Sequence, residues 1–137
     1  MTSIQVTQAI SRPAEAAWAL IGDFGALHRW HPQVRRLDLS WEGRIRTVHY
    51  ADGGRAVERL EARNDAAYRY VYALVDGSLP LHACRSTLAI QPDGAGCVVS
   101  WGAEFEAIGD GEAAVEQAMR RLYAVGLGAV AGVLQPR

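Results

Sequence analysis

Asp23-Phe24-Gly25-Ala26-Leu27-His28-Arg29-Trp30-His31-Pro32 joins a helical run to a succession of strand-like runs, and the fold depends on how it is read. Asp23 suits the cap of a short helix over Phe24 to about Trp30, and Pro32 stops it. Upstream, Ser3 to Ile10 alternates, with Ile4, Val6, Gln8 and Ile10 on one face, which predicts a strand buried on one side. Ser11, placed just before Pro13, reads as the cap of a helix over Ala14 to Ile21. Ala17, Trp18 and Ile21 lie at helical spacing there, and Gly22 ends the run. Two short helices therefore follow one strand.

Downstream, six strand-like runs cover Val34 to Trp41, Arg44 to Tyr50, Arg55 to Ala62, Ala67 to Val75, Leu81 to Ile90 and Val98 to Ala107. Between them stand Glu42-Gly43, Asp52-Gly53-Gly54, Asn64-Asp65, Asp76-Gly77-Ser78 and Pro92 to Gly96, the turn chemistry of hairpins. Connections this short imply antiparallel neighbours. A last helix runs from Glu112 to Leu134, with Val115, Ala118, Met119, Leu122, Gly126, Val130 and Val133 as its apolar stripe. The architecture expected is α+β: a curved seven-stranded antiparallel sheet around a long C-terminal helix, with two short helices closing one end.

The 137 residues suit a single domain over 1–137, half of them are hydrophobic, and the formal net charge is -1. That balance argues against nucleic acid as a partner. The N-terminus lacks the basic and apolar regions of a signal peptide, and the longest apolar run is too short to cross a membrane. The expectation is a cytoplasmic chain with no membrane span. Pairing inward faces across the last hairpin sets Leu88 opposite Trp101 and Cys84 opposite Phe105. Cys97 then lies at the turn end, roughly 20 Å from Cys84 at ~3.3 Å per residue. Two free thiols are expected.

The chain resembles the polyketide cyclase/dehydrase and lipid transport family of the Bet v 1-like or START-like (SRPBCC) superfamily. The resemblance covers nearly the whole chain. It rests on the Phe-x5-Trp-x-Pro pattern of Phe24 to Pro32, Arg46-Thr47, Asp52-Gly53-Gly54, Glu58-Arg59-Leu60, Asp65, Tyr70-x-Tyr72, Leu79-Pro80-Leu81, Trp101 and Phe105. It implies the helix-grip fold, with a cavity between sheet and terminal helix. It also implies activities ranging from lipid carriage to aromatic cyclisation and dehydration. Where many relatives place a tyrosine after the Leu-Pro turn, this chain has Cys84.

Alternation then names candidate cavity residues. Val57, Arg59, Glu61 and Arg63 form a mostly charged outer set, which turns Ala56, Glu58, Leu60 and Ala62 inward. Glu58 is a carboxylate on an apolar face and needs a partner. Arg46, brought alongside by the turn at Asp52, is that partner, in a pair that is either structural or functional. Tyr68, Tyr70 and Tyr72 share an inner face on the next strand. Trp101 and Phe105 face in from the last strand, with His82 and Cys84 opposite, and Tyr123 on the helix can reach the cavity. In the opening stretch, Trp30 and Phe24 are packing anchors of a lid. His31 is the one group there able to exchange protons at the pocket mouth. His28 and His31 have a spacing that can ligate zinc, but no third ligand accompanies them, so no metal and no cofactor is expected.

Two functions follow. One is binding of a small, mostly apolar, aromatic or polyketide-like molecule. The other is a cofactor-independent cyclase, dehydratase or lyase using Glu58 or His31 as acid/base, with Arg46 or a tyrosine stabilising an enolate. Trp41 shares a strand face with Leu37 and Leu39, and is either core or part of an exposed patch at the edge of a homodimer.

Overall fold

Seven antiparallel strands form one sheet in the computed structural model, which describes residues 1–135. The strands are β1 (Thr2–Ile10), β2 (Val34–Ser40), β3 (Ile45–Tyr50), β4 (Arg55–Asn64), β5 (Arg69–Gly77), β6 (Leu81–Asp93) and β7 (Gly96–Ala107). Their order is β1-β7-β6-β5-β4-β3-β2, so the two terminal strands are β1 and β2. The helices are α1 (Ala14–Ile21) and α2 (Glu112–Leu134), with a short 3₁₀ segment at Phe24–Arg29. This is the expected helix-grip arrangement. α2 lies against β1 and β7, and α1 packs on α2, β6 and β7. Val99, Leu88, Phe105, Ile21 and Val130 form the centre of the core, all of them fully buried.

Local chemistry accounts for most boundaries and for several departures. Asp23 caps the 3₁₀ segment, its carboxylate accepting from the Gly25 N–H at 2.9 Å. The segment is a kinked 3₁₀ helix because Ala26 leaves helical geometry (φ -121°, ψ 18°). Ser11 does not cap α1; Pro13 occupies the cap position in extended geometry. The α2 stripe is Val115, Met119, Tyr123, Gly126, Leu127 and Val130, while Val133 is 67% exposed. The helix therefore turns its 115-119-123-127 line to the sheet, a fourfold spacing that brings Tyr123 inside.

Two bulges change side-chain faces. One, between Leu60 and Ala62, shifts the register of β4 against β5. An extra residue reverses which side chains point inward beyond it. Ala62, expected inward, is exposed, and Arg63, solvent-exposed as expected, pairs with inward Tyr70, donates to the Gly22 carbonyl and lies 5.1 Å from the Trp18 ring. Asp65 ties the same corner, accepting from Trp18 Nε1 and from Arg63. The second bulge lies between Leu81 and Ala83. It leaves His82 exposed, not inward beside Cys84. Beyond it the expected pairs Cys84–Phe105 and Leu88–Trp101 are present, Cys97 sits opposite Pro92, and both cysteines are free. No described helix is long and apolar enough to cross a membrane.

Candidate functional site

The β3–β4 hairpin sets Arg46 directly opposite Glu58 on the inner face. Arg46 is fully buried and Glu58 is 8% exposed. Arg46 Nε donates to Glu58 Oε1 at 2.7 Å, and Nη1 donates to the Phe24 carbonyl at 2.9 Å. The guanidinium also lies 4.1 Å from the centre of the Phe24 ring and 4.6 Å from that of Tyr72. Burial works against the Arg46 charge, but Glu58, Tyr70 and Tyr72 more than offset it, so its pKa rises. The 3₁₀ segment is thereby fastened to the sheet through a permanent cation.

A cavity of about 410 Å³ opens beside this pair, between α2, the inner face of β4 to β6 and the β3–β4 and β5–β6 loops. That volume falls within the range of small-molecule sites. Glu58 lies on its wall, and Arg46 lies behind Glu58, off the cavity surface. No described residue hydrogen-bonds Glu58 Oε2; Arg46 engages Oε1 alone.

Other lining residues form a linked set of aromatic and hydroxyl side chains. Trp101 Nε1–H donates to the Tyr72 hydroxyl at 2.9 Å, and the Trp101 ring stacks on Tyr123 with centres 4.2 Å apart and planes 8° from parallel. The Tyr123 hydroxyl is 3.1 Å from Ser86 Oγ, which is 3.8 Å from Cys84 Sγ. Burial raises the pKa of Tyr72, Tyr123 and Tyr50 alike. Burial also pushes the Cys84 thiol up to about 11. At neutral pH all four therefore keep their protons and serve as hydrogen-bond donors, not as bases or nucleophiles.

Of the sequence candidates, Glu58, Tyr72, Cys84, Trp101 and Tyr123 line the cavity. Tyr68 does not belong to the tyrosine strand. It closes the Asp65–Tyr68 turn in left-handed geometry (φ 53°) and packs edge-on against Trp18. Tyr70 is inward but covered by Phe24 and Trp18. Trp30 and Phe105 are core residues away from the wall, and His82 is exposed.

His31 is not at the pocket mouth. It is 1% exposed, its Nδ1 accepts from the Gln33 N–H at 3.1 Å, and its Nε2 lies 2.7 Å from the Leu122 carbonyl. A ring that accepts at Nδ1 and donates at Nε2 is the neutral Nε2–H tautomer. Burial lowers its pKa, against a smaller upward pull from the Leu122 carbonyl. His31 thus clips the lid to α2, and no proton acceptor remains on it for a ligand. Its sequence partner His28 is exposed, so the two do not share a site.

Among the wall residues missing from the sequence reading are Tyr50, Ser86 and Arg121. Tyr50 follows Arg46 and Val48 at period two, and Ser86 sits between inward Cys84 and Leu88. The alternation already used for their neighbours identifies both. Arg121 lies one step outside the helix stripe, and only the position of the cavity relative to α2 identifies it.

The comparisons agree on the fold. XoxI from Bacillus cereus superposes with a TM-score of 0.94 at 26% identity, covering 98% of this chain and 96% of that one. A Thermobifida fusca protein solved by NMR gives 0.85 at 32% identity, with 98% and 96% coverage. The ZhuI aromatase/cyclase from Streptomyces sp. R1128 gives 0.84 at 14% identity, with 98% and 93% coverage, a likeness of fold. No curated protein matches the sequence. The family described as polyketide cyclase / dehydrase and lipid transport matches residues 1–135. On that match this chain belongs to the polyketide cyclase/dehydrase and lipid transport family.

Proposed function

We propose that this protein binds a small, mostly apolar aromatic molecule carrying at least one hydroxyl, held in the cavity between α2 and the sheet. One observation carries the reading: Glu58 stands on the cavity wall with Oε1 committed to Arg46 and Oε2 without a hydrogen-bond partner among the described residues. A carboxylate oxygen on a largely apolar cavity wall calls for a donor, and a ligand hydroxyl supplies one. Apolar contact and the stacked Trp101–Tyr123 pair hold the ring, while Tyr50 and Cys84 donate to any carbonyl it bears. No cofactor enters this reading, and the cytoplasm suits it. Native mass spectrometry of gently purified protein should reveal a bound, unchanged, hydroxylated molecule, and protein that is empty in every preparation would count against it.

A second reading, a cyclase or dehydratase, has Glu58 as base, since His31 is sequestered and the tyrosines and Cys84 are protonated donors. Their hydroxyls would stabilise the enolate formed when Glu58 removes a proton beside a carbonyl. Under that reading Glu58→Gln abolishes turnover and keeps ligand affinity within a few-fold. A mutant that loses binding as well defeats the catalytic assignment.

A further inference from the structure

The β2 edge of the sheet carries a second feature. β2 is a terminal strand, so among the described residues one of its backbone edges has no strand beside it. Such an edge invites another chain. Its inward side chain Leu39 is 51% exposed, and Trp41 at its end is 76% exposed. Trp41, Glu42 and Gly43 are three successive left-handed residues (φ 52°, 56° and 83°). Only glycine adopts that region without strain, so the backbone at the first two is held in an unfavourable conformation with the indole in solvent. Tryptophan in that setting has the character of an interface anchor.

The charges on β2 select the partner. Arg36 and Asp38 lie on one face and are 64% and 57% exposed. Suppose a second copy pairs antiparallel about a two-fold axis at Leu37. Leu37 then meets Leu37, and Arg36 meets the second copy's Asp38 twice over, once on each side of the axis. Centring on Arg36 opposes two arginines, and centring on Asp38 opposes two aspartates; like charges directly opposite destabilise a pair. A slip by one residue would put charged and apolar side chains on the same face. The pattern thus favours the register about Leu37 over those centred on Arg36 or Asp38. The partner it fits is this same chain, because a two-fold interface must be self-complementary.

We propose that β2 is the edge of a homodimer, pairing antiparallel with its own copy about Leu37 and joining the two seven-stranded sheets. In that register Arg36 exchanges its in-strand contact with Asp38, a carboxylate that His49 also engages at 2.9 Å, for the Asp38 of the other copy, and Trp41 lies toward the partner strand's beginning, where β2 is bulged between Val34 and Arg36. Sedimentation velocity over a concentration series tests this. Wild-type protein should sediment as a dimer. Arg36→Asp and Asp38→Arg, both at exposed positions, should each be folded by circular dichroism and monomeric, since each sets like charges opposite. An equimolar mixture of the two variants should dimerise again, because one copy then brings two acidic side chains to the axis and the other two basic ones. Wild-type monomer at every concentration, dimers that survive either substitution, or a mixture that stays monomeric would each overturn the proposal.

Discussion

Arg46 and Glu58 show how one buried pair both builds and marks a site. The sequence predicts the pairing because a carboxylate on an apolar face needs a counter-charge and the Asp52 turn brings one alongside. The structure adds an asymmetry that no alternation pattern contains: Arg46 engages one Glu58 oxygen, and the other has no hydrogen-bond partner among the described residues. Removing a single partner leaves an uncompensated buried charge. Arg46→Met should therefore lose about 3–5 kcal/mol. Arg46→Met/Glu58→Leu should recover most of that, because well-packed apolar replacements of a buried pair are often neutral or better. Urea unfolding measures both, and a double mutant no more stable than the single would refute the assignment.

His31 makes a separate, pH-dependent prediction. Its folded pKa is depressed below the ordinary 6.5. Above that value it is neutral both folded and unfolded; below it, the unfolded chain takes up a proton that the fold refuses. Its contribution is thus present at neutral pH and falls as pH drops below about 6.5. His31→Gln should be less stable than wild type at pH 8, with the gap narrowing toward pH 5. A gap that stays constant would contradict the buried neutral tautomer.

At the level of elements, the glycines of α2 separate two explanations that look alike in sequence. A Cβ on Gly126 would come within 2.5 Å of His31 Cδ2 and 3.1 Å of Trp101, whereas Gly128 and Gly132 have open space around them. His31 is fixed at both ring nitrogens and cannot yield easily. Gly126→Ala should therefore destabilise by about 1–3 kcal/mol, as overpacking does. Gly128→Ala and Gly132→Ala should gain up to about 1 kcal/mol from helix propensity alone. Thermal melts of the three variants decide it; a stabilising Gly126→Ala would mean the lid is not clipped to the helix. The strands and hairpins were legible because alternation and turn residues are local signals. The bulges at Leu60–Ala62 and Leu81–Ala83 were not, since each is one residue inside an otherwise regular run. For that reason Ala62 and His82 were expected inward and are exposed. Tyr68 was misread because the turn after Asn64 is four residues long and uses it in left-handed geometry.

For the whole molecule, the helix-grip architecture followed from the order of elements and the family pattern, and residues 1–135 match that family. The site was legible in part. Faces of single strands gave Glu58, Tyr72 and Trp101, but the cavity's extent depends on where α2 crosses the sheet, which no strand pattern encodes. That placement sends His31 into the core and brings Arg121 to the wall. The central claim is a cavity that selects a hydroxylated aromatic through the free oxygen of Glu58. Calorimetric titration with 1-naphthol and naphthalene tests it most directly. Wild type should bind 1-naphthol tighter by about tenfold or more, the worth of one hydrogen bond to a charged group, and Arg46→Met/Glu58→Leu should lose that preference. Equal affinities in the wild type, binding of neither compound, or a preference that survives in the double mutant would contradict it.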